Sequence, residues 1–117
     1  MNIDFSRQRN IVIITTGRKK EWINVGDILY ITVDLTLSSV FVLQRDAPYF
    51  FVKQLTRFEK ELGDYGFFRA NGNTLVNGNY VKRIEKEQNN YFIYLHKDKK
   101  ISLSRRQYSK IRKIIKR

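Results

Sequence analysis

The stretch YFIYLHKDKKISLSRR, residues 91–106, carries the strongest signals for the fold of this chain. Its apolar segments 91–95 and 100–103 flank the turn residues Lys97 and Asp98, which is the pattern of a β-hairpin. Ser104 follows where its hydroxyl can cap a helix, and two arginines come directly after it. The stretch therefore predicts two antiparallel strands that lead into a helix with cationic first residues.

Further short apolar segments, separated by turn residues, extend this pattern along the chain. Besides the two strands above, the predicted strands are residues 11–15, 28–33, 40–43, 49–52, 74–76 and 81–85. Two segments show helical spacing instead: residues 54–62, with Gly63 at the expected C-terminal cap, and residues 105–117. We predict a mostly β, antiparallel fold with one short internal helix and a basic C-terminal helix.

The charge balance of the chain is strongly basic. The 117 residues include 23 lysines and arginines against 11 aspartates and glutamates, a formal net charge of +12. Such a charge predicts attraction to polyanions, with nucleic acid as the first candidate and an anionic membrane surface as the second. The sequence has no cysteine and no apolar stretch long enough to span a membrane. We expect one domain, located in the cytoplasm.

The sequence gives little support for a catalytic or metal site. His96 is the only histidine, and without cysteine or a second histidine it cannot anchor a zinc ion. Glu59, Glu61, Glu85 and Glu87 stand among basic neighbours, which is typical of solvated surface charge rather than of an acid–base pair. The glycine pattern of a phosphate-binding P-loop is absent. We predict no enzyme activity, no cofactor and no small-molecule substrate.

Two polar segments are the best candidates for a binding site. Arg105 and Arg106 stand at the predicted helix start, where the helix dipole disfavours a cation unless an anion docks there. Upstream, the loop Asn71-Gly72-Asn73 lies between apolar anchors, and strand alternation places Arg69 close to it. The loop also fits a simple turn, because Asn and Gly tolerate left-handed backbone. The later lysines and arginines of the helix fit a solvated face equally well.

Five short blocks follow one another along the chain: GDILYI (26–31), QLTRFEKEL (54–62), FFRANGNTLVN (67–77), YVKRI (80–84) and LSRR (103–106). In this order, over residues 25–115 or so, they resemble the LytTR family of bacterial DNA-binding domains. The resemblance implies an elongated arrangement of antiparallel β-sheets with short helices. It also implies that loops, rather than a recognition helix, enter two successive major grooves and cross the minor groove between them.

The resemblance further implies contacts between individual residues and DNA bases. Ser38, in the loop expected after the strand 28–33, would occupy one base-contacting position. Asn71, Gly72 and Asn73 would occupy the next, and Arg106 would be the principal arginine. The family often has a histidine and a basic or polar residue at 71–72, a serine at 73 and a longer residue at 38. The base-reading pattern of this chain would therefore differ from that of better-known members.

Other residues receive supporting roles. Arg69, Arg105 and nearby lysines are expected to contact phosphates, which fix the position of a protein on a duplex without reading its sequence. Asn77 matches a Val-Asn signature of the family and is expected to be a structural turn residue. Phe67, Phe68, Trp22 and most tyrosines are assigned to packing.

The expected organisation is an N-terminal arm with leading strands at residues 1–24, followed by a LytTR-like domain at 25–117, together forming one compact unit. Many family members carry a phosphorylatable receiver domain before this domain. Only about 25 residues precede it here, which is too few for a receiver. If Met1 is the natural start, we expect a stand-alone protein. Expression level, a partner or self-association, such as a homodimer on repeated half-sites, would then regulate it.

We therefore predict a sequence-specific transcriptional regulator that binds double-stranded DNA. The same charge and aromatic content would allow an RNA-binding or ribosome-associated basic β module. A weaker alternative is a basic adaptor that docks on an acidic protein or on a membrane surface.

Overall fold

The computed structural model describes residues 1–6 and 10–112, and it shows a mostly β, antiparallel architecture. In chain order the strands are β1 (Asn2–Ser6), β2 (Ile11–Thr16), β3 (Lys19–Asn24), β4 (Ile28–Asp34), β5 (Leu37–Val42), β6 (Tyr49–Val52), β7 (Phe67–Asn71), β8 (Thr74–Asn77), β9 (Arg83–Glu87), β10 (Asn90–Tyr94) and β11 (Lys100–Leu103). The helices are α1 (Leu55–Leu62) and α2 (Arg105–Ile111). The molecule measures 48 × 29 × 25 Å and is therefore elongated, as the family resemblance implies.

A five-stranded sheet in the order β6-β5-β4-β8-β7 forms the centre of the described structure. A three-stranded sheet, β1-β2-β3, precedes it in the chain, and a second one, β11-β10-β9, follows it. Neighbouring strands pair antiparallel in all three sheets. The chain thus forms a layered all-β body to which the two short helices attach.

Two hydrophobic cores lie on opposite faces of the central sheet. Ile31 and Leu75 belong to a core that also contains buried residues of β1, β2, β3 and α1, namely Ile3, Val12, Ile14, Ile23, Leu55, Phe58 and Leu62. Tyr30 and Val76, one residue away along their strands, belong to the other core, with Ile93, Leu95, Ile101, Leu103 and Ile111. Side chains of a strand alternate between faces, so a one-residue step changes the core that a side chain enters.

The helices are short, and in the described part of the chain no helix is long and apolar enough to cross a membrane. In α1 the residues Leu55, Phe58 and Leu62 are buried, as the predicted helical spacing requires. Gly63 is the C-terminal cap of α1, as predicted, but its backbone is right-handed and the chain continues into a 3-10 turn over Gly63–Tyr65. Gly66 takes the left-handed conformation instead, with φ of 88°. The predicted helix at 105–117 is present as α2, and residues 113–117 lie outside the described residues.

Three strands were not predicted individually: β1, β3 and β7. The first half of β3 is Lys19-Lys20-Glu21, and these three charged residues interrupt the alternation of apolar and polar residues that indicates a strand. The residues of β7 were interpreted as an apolar anchor of the loop that follows them. Trp22 of β3 does not pack in the core as expected, since 59% of its surface is exposed. Its neighbour Ile23 faces the core, so alternation turns Trp22 to the outer face of the sheet. The division of the chain at residue 25 stays a prediction.

Phe58 and Phe50 provide a matched test of the first core. Phe58 is fully buried, with contacts to the rings of Phe5 and Phe51, whereas 47% of the Phe50 surface is exposed. We expect Phe58→Ala to lower the free energy of unfolding by about 3–5 kcal/mol through lost burial and a residual cavity. Phe50→Ala should cost about 1 kcal/mol or less. Urea unfolding followed by circular dichroism measures both. Equal losses would contradict the core assignment.

Candidate nucleic-acid interface

The turn between β7 and β8 is held by hydrogen bonds of Asn71 on both sides. The Asn71 side-chain oxygen accepts from the Asn73 backbone N–H at 2.8 Å, which closes the turn on itself. The Asn71 Nδ2 donates to the Ser102 carbonyl at 2.6 Å, which ties the turn to strand β11. The Asn73 carbonyl accepts from the Val33 N–H at 2.9 Å, while the Asn73 side chain is exposed. Asn71 therefore orders the turn, and Asn73 is available at its surface.

Gly72 is the first of the two exposed residues between β7 and β8. Its φ is not positive, and a Cβ added there would find no atom within 4 Å. Its carbonyl accepts from Arg69 Nη1 at 2.9 Å. The turn therefore does not need glycine for its backbone conformation, and a side chain at this position would extend into open space.

Arg69 is bound within the protein. Its Nε donates to Glu59 Oε1 of α1 at 3.1 Å, and only 20% of its side chain is exposed. With its second bond to the Gly72 carbonyl, the guanidinium links α1 to the β7–β8 turn. Because a carboxylate already pairs with it, Arg69 has less to offer a phosphate than an unpaired arginine would.

The corner between β11 and α2 is capped as the sequence predicts. Ser104 Oγ accepts from the Gln107 N–H at 3.2 Å, and the Ser104 N–H donates to the Ala70 carbonyl of β7 at 2.9 Å. One residue thus starts the helix and attaches the corner to the central sheet. The backbone of Arg105 and Arg106, the first helical residues, therefore has a fixed position relative to the central sheet.

Arg105 and Arg106 differ in what they contact. Arg105 Nη2 donates to the Asn89 carbonyl at 3.0 Å, in the two-residue turn between β9 and β10. Arg106 is exposed, and among residues 1–6 and 10–112 it has no hydrogen-bond or ion-pair partner. Arg106 can therefore bind a ligand without first giving up a bond to these residues.

These contacts join three segments: the β7–β8 turn with the end of β7 (residues 69–73), the corner between β11 and α2 (102–106) and the β9–β10 turn (88–89). We call them together the basic ridge. The bonds described above connect its first part to its second, and Arg105 connects its second part to its third. The acceptors include the backbone carbonyls of Ala70, Gly72, Asn89 and Ser102, which no side-chain pattern could have revealed. Among the predicted site residues, Arg69 is bonded to Gly72 and Asn71 to Asn73, whereas the bond of Arg105 goes to Asn89, which was not predicted.

Ser38 does not lie on the basic ridge. It is the second residue of β5, pairs with Val33 and Phe51 on the neighbouring strands and is fully buried. Its Oγ donates to the Lys53 carbonyl at 2.6 Å. The predicted strand began only at residue 40, but β5 begins at Leu37, so alternation directs Ser38 inward on the same face as Val40. A side chain without exposed surface does not reach a base, and we leave Ser38 out of the proposed contacts.

Asn77 has the structural role that was expected for it. It is fully buried, its Nδ2 donates to the Ile28 carbonyl at 2.9 Å and its Oδ1 accepts from the Asn79 N–H at 3.0 Å. The side chain thereby ends β8 and ties it to the start of β4.

Lys100 lies close to the ridge but is already paired. Its Nζ donates to Glu87 Oε1 at 2.8 Å, and Tyr94 donates its hydroxyl to the same carboxylate. These two hydrogen bonds, that from Lys100 being the stronger influence, lower the pKa of Glu87 from its ordinary value. The pKa of Lys100 is raised, mainly because the ammonium donates to this carboxylate. The pair keeps its opposite charges together beside the ridge.

Comparison with known proteins found one matching protein family and a solved structure of similar fold. The family model of the LytTr DNA-binding domain matches residues 6–116. A solved LytTr DNA-binding domain from Bacillus cereus superimposes with a TM-score of 0.74, at 17% sequence identity, over 92% of this chain and 98% of that one. Among curated proteins, none matches the chain. The structural likeness shows a shared fold, and the family match extends over nearly the whole sequence.

The cap at Ser104 can be tested by stability. We expect Ser104→Ala to lower the free energy of unfolding by about 1 kcal/mol, because the Gln107 N–H loses its side-chain acceptor. Ser102→Ala is the matched control, since Ser102 is exposed and contributes its backbone carbonyl, which the substitution retains. Chemical denaturation of both variants measures the difference. A loss for Ser104→Ala no larger than for Ser102→Ala would show that the cap contributes nothing.

Proposed function

The chain belongs to the LytTR family of DNA-binding domains, and on this basis we propose that it is a sequence-specific transcriptional regulator that binds double-stranded DNA through the turns of the basic ridge. The observation that carries the proposal is the exposed Arg106, two residues after Ser104, which caps α2 and is bonded to Ala70 of β7. The net charge of +12 supports binding to a polyanion independently of the family.

In the proposed mechanism the ridge residues have different tasks. Arg106 enters the major groove and donates two hydrogen bonds to the O6 and N7 atoms of a guanine. Asn73, whose side chain is exposed on the turn, is the second base-reading residue. Arg69 and Asn71 keep this turn in place through the bonds that they make within the protein. Arg105 contacts a phosphate next to the base that Arg106 reads.

The family match favours DNA over the alternatives raised by composition. A basic RNA-binding module or an adaptor for acidic surfaces would share the charge of this chain, but not the match over residues 6–116 to a DNA-binding domain. Selection of bound duplexes from a random pool tests the proposal directly. An enriched motif is the expected outcome, and duplexes recovered without any preferred sequence would overturn sequence-specific binding.

Two accompanying predictions complete the proposal. A homodimer on repeated half-sites would appear in the selected duplexes as two copies of one motif at a fixed separation. The cytoplasm is the predicted compartment, since a regulator of bacterial transcription must reach the chromosome.

Arg106→Ala separates base reading from phosphate binding. We expect the variant to lose about 1–3 kcal/mol more binding free energy on a selected site than on a random duplex, because guanine recognition is lost. Lys110→Ala is the control, since it removes one exposed charge from the same helix and should weaken both complexes alike. Fluorescence anisotropy on the two duplexes measures the difference. Equal losses for Arg106→Ala on both would make Arg106 a phosphate contact.

Gly72 allows a gain of binding to be tested. Since its φ is not positive and the space around it is open, neither Gly72→Ala nor Gly72→Arg should strain the turn. If the turn faces DNA, the arginine variant gains a phosphate contact, and its plot of log K against log salt should steepen by about 0.9. The alanine variant controls for the backbone change. Identical affinities of the two variants at low salt would place the turn away from DNA.

A further inference from the structure

A cleft of about 360 Å³ extends the basic ridge on the side where α2 faces the β9–β10 hairpin. Its walls include three cations from separate parts of the chain, Lys86 of β9, Arg105 at the start of α2 and Arg112 just after its end. All three are exposed, as is Asn89 at the hairpin turn, so the cleft is open to solvent. Arg105 belongs both to the ridge and to the cleft.

Two stacked tyrosines fix the distance between the walls. The rings of Tyr91 and Tyr108 lie 3.9 Å apart with an angle of 12° between their planes. Lys86 Nζ is 5.8 Å from the centre of the Tyr91 ring, and Arg112 Cζ is 5.9 Å from the centre of the Tyr108 ring. One cation therefore lies within 6 Å of the centre of each stacked ring. Arg105, through its bond to the Asn89 carbonyl, closes the hairpin against the helix.

The charges in the cleft are not balanced by the described residues around it. None of the described residues that line it is acidic. The nearest carboxylates along β9, Glu85 and Glu87, alternate with Lys86 and so belong to the other face of the strand. There Glu85 pairs with Arg83, and Glu87 pairs with Lys100. Three like charges around one space repel one another, and an anion between them removes that repulsion.

We propose that this cleft binds a backbone phosphate of the same duplex that Arg106 reads, with Lys86, Arg105 and Arg112 as its cationic contacts. The inference rests on the proposed function and adds Lys86 and Arg112 to the phosphate contact that it assigns to Arg105. Ammonium and guanidinium groups form strong charge-assisted hydrogen bonds with phosphate oxygens. The cleft is open to solvent, and the shared Arg105 makes it continuous with the base-reading corner. A duplex held at both places is fixed in orientation as well as in position.

The test compares salt dependence in charge-matched variants. Lys86→Ala and Arg112→Ala each remove one cation from the cleft. Lys20→Ala removes one from β3, whose sheet contributes to the core on the opposite face of the central sheet. For wild-type protein on a duplex, log K should fall linearly with log salt. We expect each cleft variant to flatten this slope by about 0.9, on selected and random duplexes alike, whereas Lys20→Ala leaves it unchanged. Circular dichroism establishes that all four proteins are equally folded.

Two results would overturn the inference while leaving the proposed function intact. In the first, wild-type protein binds duplex DNA and both cleft variants behave like Lys20→Ala. In the second, millimolar inorganic phosphate raises the melting temperature of the wild-type protein above that in chloride of equal ionic strength, the cleft variants lose this effect, and their slopes on DNA are unchanged. The cleft would then be a site for free phosphate. A wild-type protein that fails to bind any duplex at low salt would instead contradict the proposed function itself.

Discussion

The central strands β4 and β8 send successive side chains into two different cores, and this alternation determines the rest of the architecture. Ile31 and Leu75 face the sheet of β1 to β3, and Tyr30 and Val76 face the sheet of β9 to β11. A slip of one residue in either strand would exchange the two sets and put each against the wrong partners. The correct pairing therefore fixes where the β7–β8 turn lies with respect to β11 and α2, and so positions the basic ridge.

This strongly basic chain has many cationic side chains. Those already paired with a carboxylate are less available to a ligand than those that are not. Arg69 is paired with Glu59, and Lys100 with Glu87, so both already serve the fold. Arg106 is exposed and has no such partner among the described residues. Composition alone treats these residues as equivalent, because it counts charges without showing which of them are neutralised nearby. The structure separates paired from unpaired cations, and the proposed base-reading role goes to an unpaired one that lies at the β11–α2 corner.

Most strands and both helices followed from the spacing of apolar residues, because that spacing reflects which side of each element is buried. The charged start of β3 broke the pattern, and the true start of β5 lies three residues before the predicted one, which is why Ser38 was taken for a loop residue. The Ser104 cap was predictable since the relevant bond is local. The hydrogen bond from Asn71 to the Ser102 carbonyl joins residues 31 positions apart, and no local pattern in the sequence predicts it.

The use of backbone carbonyls as acceptors has an evolutionary consequence. The bonds from Arg69 to Gly72, from Asn71 to Ser102 and from Arg105 to Asn89 all end on main-chain oxygens. Every amino acid supplies such an oxygen, so mutation at positions 72, 89 and 102 can change the exposed side chain while the bond persists. A descendant of this chain could acquire new preferences at these three positions one substitution at a time and keep the same framework. Mutation of the donors Arg69, Asn71 and Arg105 would remove the bonds themselves, so divergence should be slowest there.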